Sequence, residues 1–267
     1  MRRTKCLSWG LVFGVLIGFG AMGCGSDGGG GAVDPWTYPE HQYKITTVNF
    51  SDPGLDINGD GTKDNNLPEL FTMLSTFLSG DINAEMNTAI TNGSSNILFS
   101  IYSKDMQNSD KAMLWTFLGG NKGTDPTTVD TTNGPANAYF SGSIVNSQAN
   151  FGGATTDFTF TLVLLVNTTT ITLQMPIKSA TYQLAVSFDN KLQGVLGGYI
   201  TKDDVKLSID NVLHDLGLDN YKPIVDSLLN NSALYDLTMN GSDAMSFAMG
   251  FDADVVTTPY THPDPPK

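Results

Sequence analysis

Positive charge, histidine and cysteine are all scarce in this 267-residue chain, and each scarcity removes a class of chemistry. Lys and Arg number 14 against 27 Asp and Glu, a formal charge of −13. A surface of that sign repels phosphate, so no nucleic-acid partner is expected. Cations and neutral polymers stay open as partners. The two cysteines, Cys6 and Cys24, are too few for a thiolate metal cage. The three histidines are His41, His214 and His262. His41 and His262 fall near the chain ends, in what reads as tether and tail. A Ser-His-Asp triad would therefore rest on His214, a lone histidine that reads as structural. The chain has no Gly-x-Ser-x-Gly elbow, no His-Glu-x-x-His zinc helix and no phosphate-binding glycine loop. Glycoside hydrolysis needs only two carboxyl groups at a suitable separation. Glu40, Glu69, Glu85 and the many Asp residues leave that reaction open.

A long apolar run is also missing. Leu7 to Phe19 is apolar apart from Ser8 and several glycines, but too short to span a bilayer. It follows the basic Arg2, Arg3 and Lys5 and leads through small residues to Ala21-Met22-Gly23-Cys24. The arrangement resembles a bacterial lipoprotein signal with its lipobox. That resemblance implies cleavage after residue 23 and acylation of the Cys24 thiol; a plain secretory signal or an uncleaved anchor is the alternative. Cleavage would remove Cys6 and three basic residues, leaving a more acidic chain in which no internal disulfide is possible. Gly25 to Gly31 reads Gly-Ser-Asp-Gly-Gly-Gly-Gly, so residues 24–42 are expected to be a flexible tether. Gly rather than Asp after Cys24 favours the outer membrane, by resemblance to known sorting signals.

What the chain does have is one dense run of oxygen ligands, Asp56-Ile57-Asn58-Gly59-Asp60-Gly61-Thr62-Lys63-Asp64-Asn65-Asn66-Leu67. Asp56, Asn58, Asp60 and Asp64 fill positions 1, 3, 5 and 9 of a calcium loop, Thr62 offers its carbonyl at 7, and Gly61 sits at the sharp turn. Alternate residues of a tight loop can converge their hard oxygens on one ion, which is what Ca2+ requires. Position 12, an acid in the EF-hand, is Leu67 here, so the shell must be completed by water, by Asn66 or Glu69, or from elsewhere. The same residue types also make ordinary polar turns. A weaker copy follows at Asp236, Thr238, Asn240, Gly241 and Asp243, where Asp243 comes one residue early for position 9; a polar turn is the competing reading.

The remaining pattern is β-rich. Tyr43 to Phe50 alternates as a strand. Asn66 and Glu69 can form a capping box for a helix with Leu67, Leu70, Phe71, Leu74, Phe77 and Leu78 on one face, followed by a shorter helix ending at Asn92-Gly93. Asn96 to Tyr102, Ala112 to Leu118 and Tyr139 to Val145 have strand length. Residues 119–135 read as a long surface loop. Between Thr155 and Phe188 the alternation predicts three antiparallel strands, with a turn at Asn167-Thr168. A further strand runs through Ile200. Thr201 and Asp204 form a second capping box, a helix then ends at Gly217, and a short helix covers Pro223 to Leu229. Met245 to Phe251 alternates as the last strand.

The expected architecture is α+β: an antiparallel sandwich or strongly curved sheet with two helical hairpins packed on it. It forms one domain over residues 43–258, with 259–267 a frayed tail. Lipobox, glycine tether, oxygen-rich loop and β-rich remainder together look like a group of Gram-negative surface lipoproteins without an assigned activity. That resemblance implies a lipid-anchored place at the outer membrane or cell surface and a Ca2+ ion. The expected role is non-catalytic, binding or structural, with a glycan or another envelope protein as partner. A calcium-dependent polysaccharide hydrolase and a lipid carrier are the alternatives.

Overall fold

Period-two alternation marks most of this chain, and extended backbone follows it. The computed structural model describes residues 33–51, 54–78, 80–119, 123–124, 126–130, 139–166, 169–187, 189 and 191–265. The expected signal, Cys24, the glycine tether and the Asn167-Thr168 turn lie outside the described residues. The strands are β1 (Glu40–Asn49), β2 (Ile97–Ser103), β3 (Ser109–Leu118), β4 (Tyr139–Val145), β5 (Gln148–Gly152), β6 (Phe158–Val166), β7 (Thr169–Val186), β8 (Leu192–Thr201), β9 (Leu237–Met239) and β10 (Ser242–Val255). The helices are α1 (Leu67–Leu78), α2 (Ile82–Thr91), α3 (Lys202–Asp215) and α4 (Lys222–Leu229). All belong to one unit, Asp34–Lys267.

The α+β architecture on an antiparallel sheet is present, and the curvature of the sheet goes as far as closure. The strands pair in the order β1-β2-β3-β4-β5-β7-β8-β10, and β10 pairs back with β1, from Tyr43 opposite Val255 to Asn49 opposite Gly250. Eight strands thus close a barrel, which leaves no free edge along the ring. β6 pairs with the first half of β7, and β9 with the start of β10.

Two strand readings change. The second and third of the three expected strands are a single one, β7. It bulges at Ser179, where φ is +52° and the register with β8 shifts between Lys178 and Thr181. Its first half pairs with β6, and its second half lies between β5 and β8. β5 went unforeseen because the turn before it, Asn146-Ser147, reaches φ of +52° and +61° without the usual glycine.

The lumen is filled by one row of each strand. Tyr43, Phe99, Phe251, Tyr182 and Phe140 form a chain of ring contacts at 4.9–6.1 Å between centroids. Such a packed interior gives no support to the lipid-carrier alternative. The opposite row of β2 and β3 is buried as well. Leu98, Tyr102, Met113, Trp115 and Phe117 form a second apolar cluster under Trp36 and Tyr260. Trp36, from within the expected tether, and Tyr260, from within the expected frayed tail, therefore pack on the barrel wall. Tyr260 is buried, and Thr261 pairs with Thr127 and Val129. Aromatic burial outweighs the loosening expected of a proline-rich end.

The helices cover one end of the barrel. Asp81 caps α2 by accepting from Asn83 and Ala84 N–H. Asn87 on α2 hydrogen-bonds both the N–H and the carbonyl of Val48 at the end of β1, at 2.9 and 2.8 Å. α3 lies on the first half of β7, where Ser208 donates to the Gln174 carbonyl. Its start is capped by Thr201, which accepts from Asp204 N–H at 3.2 Å, and Gly217 ends it with φ +67°. His214 is exposed and faces Asp219 at 3.3 Å, a surface pairing as its isolation in sequence suggested.

Candidate metal centre

The oxygen-rich loop is fastened to the barrel wall on both sides. Leu55 pairs with Asp64, whose N–H donates to the Leu55 carbonyl at 2.8 Å. The Leu55 side chain lies over Gly197 on β8: a Cβ at that position would stand 2.5 Å from Leu55 Cδ1. Glycine is what lets the loop approach. Ile57 packs on Tyr199, Leu237 and Ala244. After the loop, Asn65 joins three segments. Its amide donates to the Phe50 carbonyl (2.9 Å), and its oxygen accepts from Ala248 N–H (3.1 Å) and Leu67 N–H (3.3 Å). The Asn66 amide donates to the Ala233 and Leu234 carbonyls, each at 2.8 Å, so the expected side-chain cap from Asn66 is replaced by a tie to the chain before β9.

Within the loop, Gly59 and Gly61 have φ of +79° and +88°. These left-handed turns fold the backbone so that its N–H groups meet the ligand side chains. Asp56 Oδ1 accepts from Gly59 N–H at 2.7 Å and its Oδ2 from Gly61 N–H at 2.9 Å. Asn58 Oδ1 accepts from Asp60 N–H at 2.9 Å, and Asp60 Oδ1 from Thr62 N–H at 2.7 Å. Asp64 Oδ2 accepts from Ile57 N–H at 3.1 Å. All four expected side-chain ligands are thus held by the loop's own backbone, and Asn58 also donates from its amide to Asp60 Oδ2 at 3.1 Å.

The charges are unevenly placed. The Thr62 N–H, helped by the Asn58 amide, holds the exposed Asp60 carboxyl below its usual range. The half-buried Asp64 carboxyl is pushed up, first by burial and then by the charges of Asp236 and Asp60. Asp236 comes from the segment before β9 and was not assigned to this loop from sequence. Its position follows from long-range pairing, since its oxygens accept from the N–H (2.8 Å) and hydroxyl of Ser246 on β10.

In donor chemistry the loop fits a hard divalent cation, with carboxylate, carboxamide and carbonyl oxygens at alternate positions. Asp56, Asn58, Asp60 and Asp64 would hold it through side chains and Thr62 through its carbonyl. Leu67 at position 12 is buried as the first residue of α1, so the strong bidentate acid is missing. As the side chains stand, no group of three or more His, Cys, Asp or Glu among the described residues is drawn together to hold a metal ion.

The weaker second run folds differently. Leu237–Met239 pairs with Ser242–Ala244, and Asn240-Gly241 between them has φ of +53° and +80°. This is a two-residue hairpin of the Asn-Gly kind. Thr238 and Asp243 face each other across it, Asp243 lies 4.0 Å from Lys202, and Asp236 turns to Ser246. Extended strands do not converge alternate side chains on one point, and the backbone here is a turn between two strands.

A polar cluster that the sequence did not suggest ties the C-terminal stretch to β1. Glu40 Oε1 accepts from His262 Nε2 (2.7 Å), from Gln42 Nε2 (3.0 Å) and from the Ser100 hydroxyl. Burial alone would raise the Glu40 pKa, but these hydrogen bonds lower it from 4.5 to about 2. Burial would depress His262, yet its bonds to Glu40 and the Pro263 carbonyl raise it above 6.5. The imidazole also stacks on Phe117 at 5.1 Å. Ser100 is fully buried and bonded to the glutamate, not to the imidazole, so the three do not form a nucleophilic triad. No local pattern connects residues this far apart in the chain, which is why sequence reading missed them.

Comparison with family models, with curated proteins and with solved structures finds no match to this chain.

Proposed function

We propose that this chain is a calcium-stabilised lipoprotein of the Gram-negative cell envelope, lipid-anchored through Cys24 at the outer membrane or cell surface, with a non-catalytic binding or structural role. The observation that carries the reading is the backbone-held ligand series Asp56, Asn58, Asp60 and Asp64 on a loop fixed to the barrel wall. Three negative charges in so short a loop are costly without a cation and become ligands with one. The loop leads directly into α1, so an ion there would order the start of the helical layer.

The hydrolase alternative would use a carboxyl held above its usual range in a cleft, as a general acid. Asp64 is raised, but it lies on the barrel wall among Asp60 and Asp236. Glu40 lines a cleft at the start of β1, but it is held low by three hydrogen bonds and is not poised to donate a proton.

Anchoring rests on the signal-like N-terminus. Metabolic labelling with a fatty acid is expected to mark the wild-type chain and to leave Cys24→Ala unlabelled. Label of equal intensity in the variant would overturn the anchor. The ion is tested separately by calcium-dependent melting.

A further inference from the structure

Helices cover one end of the barrel. A strap, the C-terminal stretch from Val256 to His262, fastens at the other, the mouth where β1 begins and a cleft lies beside Glu40 and His41. Tyr260 is buried against Phe117, and its hydroxyl meets that of Ser100 at 3.1 Å. Its N–H donates to Gln42 Oε1 at 2.9 Å, and its carbonyl accepts from Gln42 Nε2 at 3.0 Å. Thr261 pins the neighbouring stretch 126–130: it donates to the Thr127 carbonyl at 2.8 Å and accepts from Val129 N–H at 3.2 Å. The pairing of β1 with β10 that closes the barrel ends at Val255, so the strap lies outside that ladder.

His262 is the last fastening, and both of its ring nitrogens face acceptors. Nδ1 lies 2.7 Å from the Pro263 carbonyl and Nε2 lies 2.7 Å from Glu40 Oε1. A carbonyl and a carboxylate only accept, so each nitrogen must carry a proton. A neutral imidazole has a single N–H, and one of the two contacts would then set a lone pair against an oxygen. The geometry therefore asks for the imidazolium. Glu40 from β1 and Tyr102 from β2 face the ring, the Tyr102 hydroxyl 3.4 Å from Nε2, with Tyr260 and Asp264 on the same stretch of chain. Phe117 and Trp115 of β3 complete the surroundings through ring contacts at 5.1 and 5.4 Å.

We propose that His262 is a proton-operated latch: with the ring charged the strap is shut, and with the ring neutral the strap opens while the barrel stays folded. Opening uncovers the aromatic wall of Tyr102, Trp115 and Phe117 and releases the stretch 126–130 that Thr261 pins. Sub-global opening of this kind suits a segment held by a few specific bonds outside the main ladder. The titration runs in the same direction. Burial opposes the charge, but the bonds to Glu40 and Pro263 raise the His262 pKa above 6.5, so the latch is complete below 6.5 and fails as pH rises through the higher folded value. Glu40 keeps its charge down to about 2, so mild acid does not open the strap. The latch involves no group of the oxygen-rich loop and does not rest on the ion or the anchor.

The test is amide hydrogen exchange on the detergent-solubilised full chain, corrected for the intrinsic pH dependence of exchange. The reporters are the N–H groups of Thr261 and Val129, which bond across the strap, with amides of β7, β8 and β10 as the barrel reference. Between about pH 6 and about pH 9 the protection of both reporters is expected to fall roughly tenfold or more, the scale of one charge-assisted hydrogen bond. The barrel reference should keep its protection over the same range. His262→Gln cannot take the charge, so its reporters should exchange fast at every pH. Glu40→Gln keeps an acceptor but loses the charge; it should flatten the pH response, and it decides the matter if His262→Gln fails to fold. Reporter protection that does not change with pH, reporters and barrel amides that fall together, or a pH response left intact in the folded variants would each overturn the latch.

Discussion

At the scale of single residues, the account makes its most specific statements about His262 and Gly197. His262 and Glu40 stabilise the C-terminal stretch through a half-buried, charge-assisted hydrogen bond. The His262 pKa is raised in the folded state, so its contribution is complete below pH 6.5 and is lost as pH rises through the higher folded value. The Glu40 pKa is lowered, so its contribution is complete above pH 4.5 and is lost as pH falls toward about 2. The pair therefore helps most between those two limits. His262→Gln should cost about 1.5–3 kcal/mol within that window and less on the alkaline side, read from melting curves across pH. A deficit that stays constant from acid to alkali would mean that ring packing on Phe117, not the charge pair, holds the strap. Gly197 tests the seat of the loop. Gly197→Ala drives a Cβ into Leu55, and the expected cost is about 1–3 kcal/mol, with weaker calcium binding because Leu55 flanks Asp56. Unchanged calcium affinity in this variant would separate the loop from its anchor.

At the scale of elements, legibility depended on whether the signal was local. The tight loop from Asp56 to Asp64 was readable because the residues that shape it are all within it, down to the two left-handed glycines. The cap of α3 by Thr201 was readable for the same reason. Asn66 misled because its side chain answers carbonyls of Ala233 and Leu234, which no window around the helix contains. The fusion of two expected strands into β7 has a similar origin, since Pro176 and the bulge at Ser179 look like interruptions yet are spanned by pairing to β6 and β8. The second oxygen run, for which a polar turn was the competing reading, is the reverse case. Its composition resembled the first, but Asn240-Gly241 is a hairpin turn and decides the backbone. Gly241→Ala is expected to cost about 1–2 kcal/mol, because φ there is +80°. Asp243→Ala should leave the calcium response intact, as seen in melting curves with and without the ion. A lost response in Asp243→Ala would return that hairpin to the list of ion sites.

At the scale of the whole molecule, barrel closure was the least legible feature. It depends on β1 meeting β10 across nearly the full length of the domain, and strand periodicity carries no information about which edges meet. The same closure brings His41 to the mouth, Tyr260 onto the outer wall and Asp236 beside Asp64. Sequence reading placed the oxygen-rich loop at the start of α1, where the structure has it, but not the acid that approaches it from the far end of the chain. The central claim is that this loop binds calcium and couples it to the stability of the fold. A site short of one strong ligand is expected to have a dissociation constant of roughly 0.1–1 mM. With about 1 mM calcium and a constant of about 0.1 mM, the linked stabilisation is about 1.4 kcal/mol. In a domain of this size that corresponds to roughly 3–6 °C. The decisive measurement is the melting temperature of wild type and Asp60→Ala in EDTA, in millimolar calcium and in millimolar magnesium. The account predicts a rise of that size for wild type in calcium, a smaller one in magnesium, and none for a folded Asp60→Ala. A wild-type melting temperature indifferent to EDTA and calcium would contradict it and make the Asp56–Asp64 stretch an ordinary polar turn.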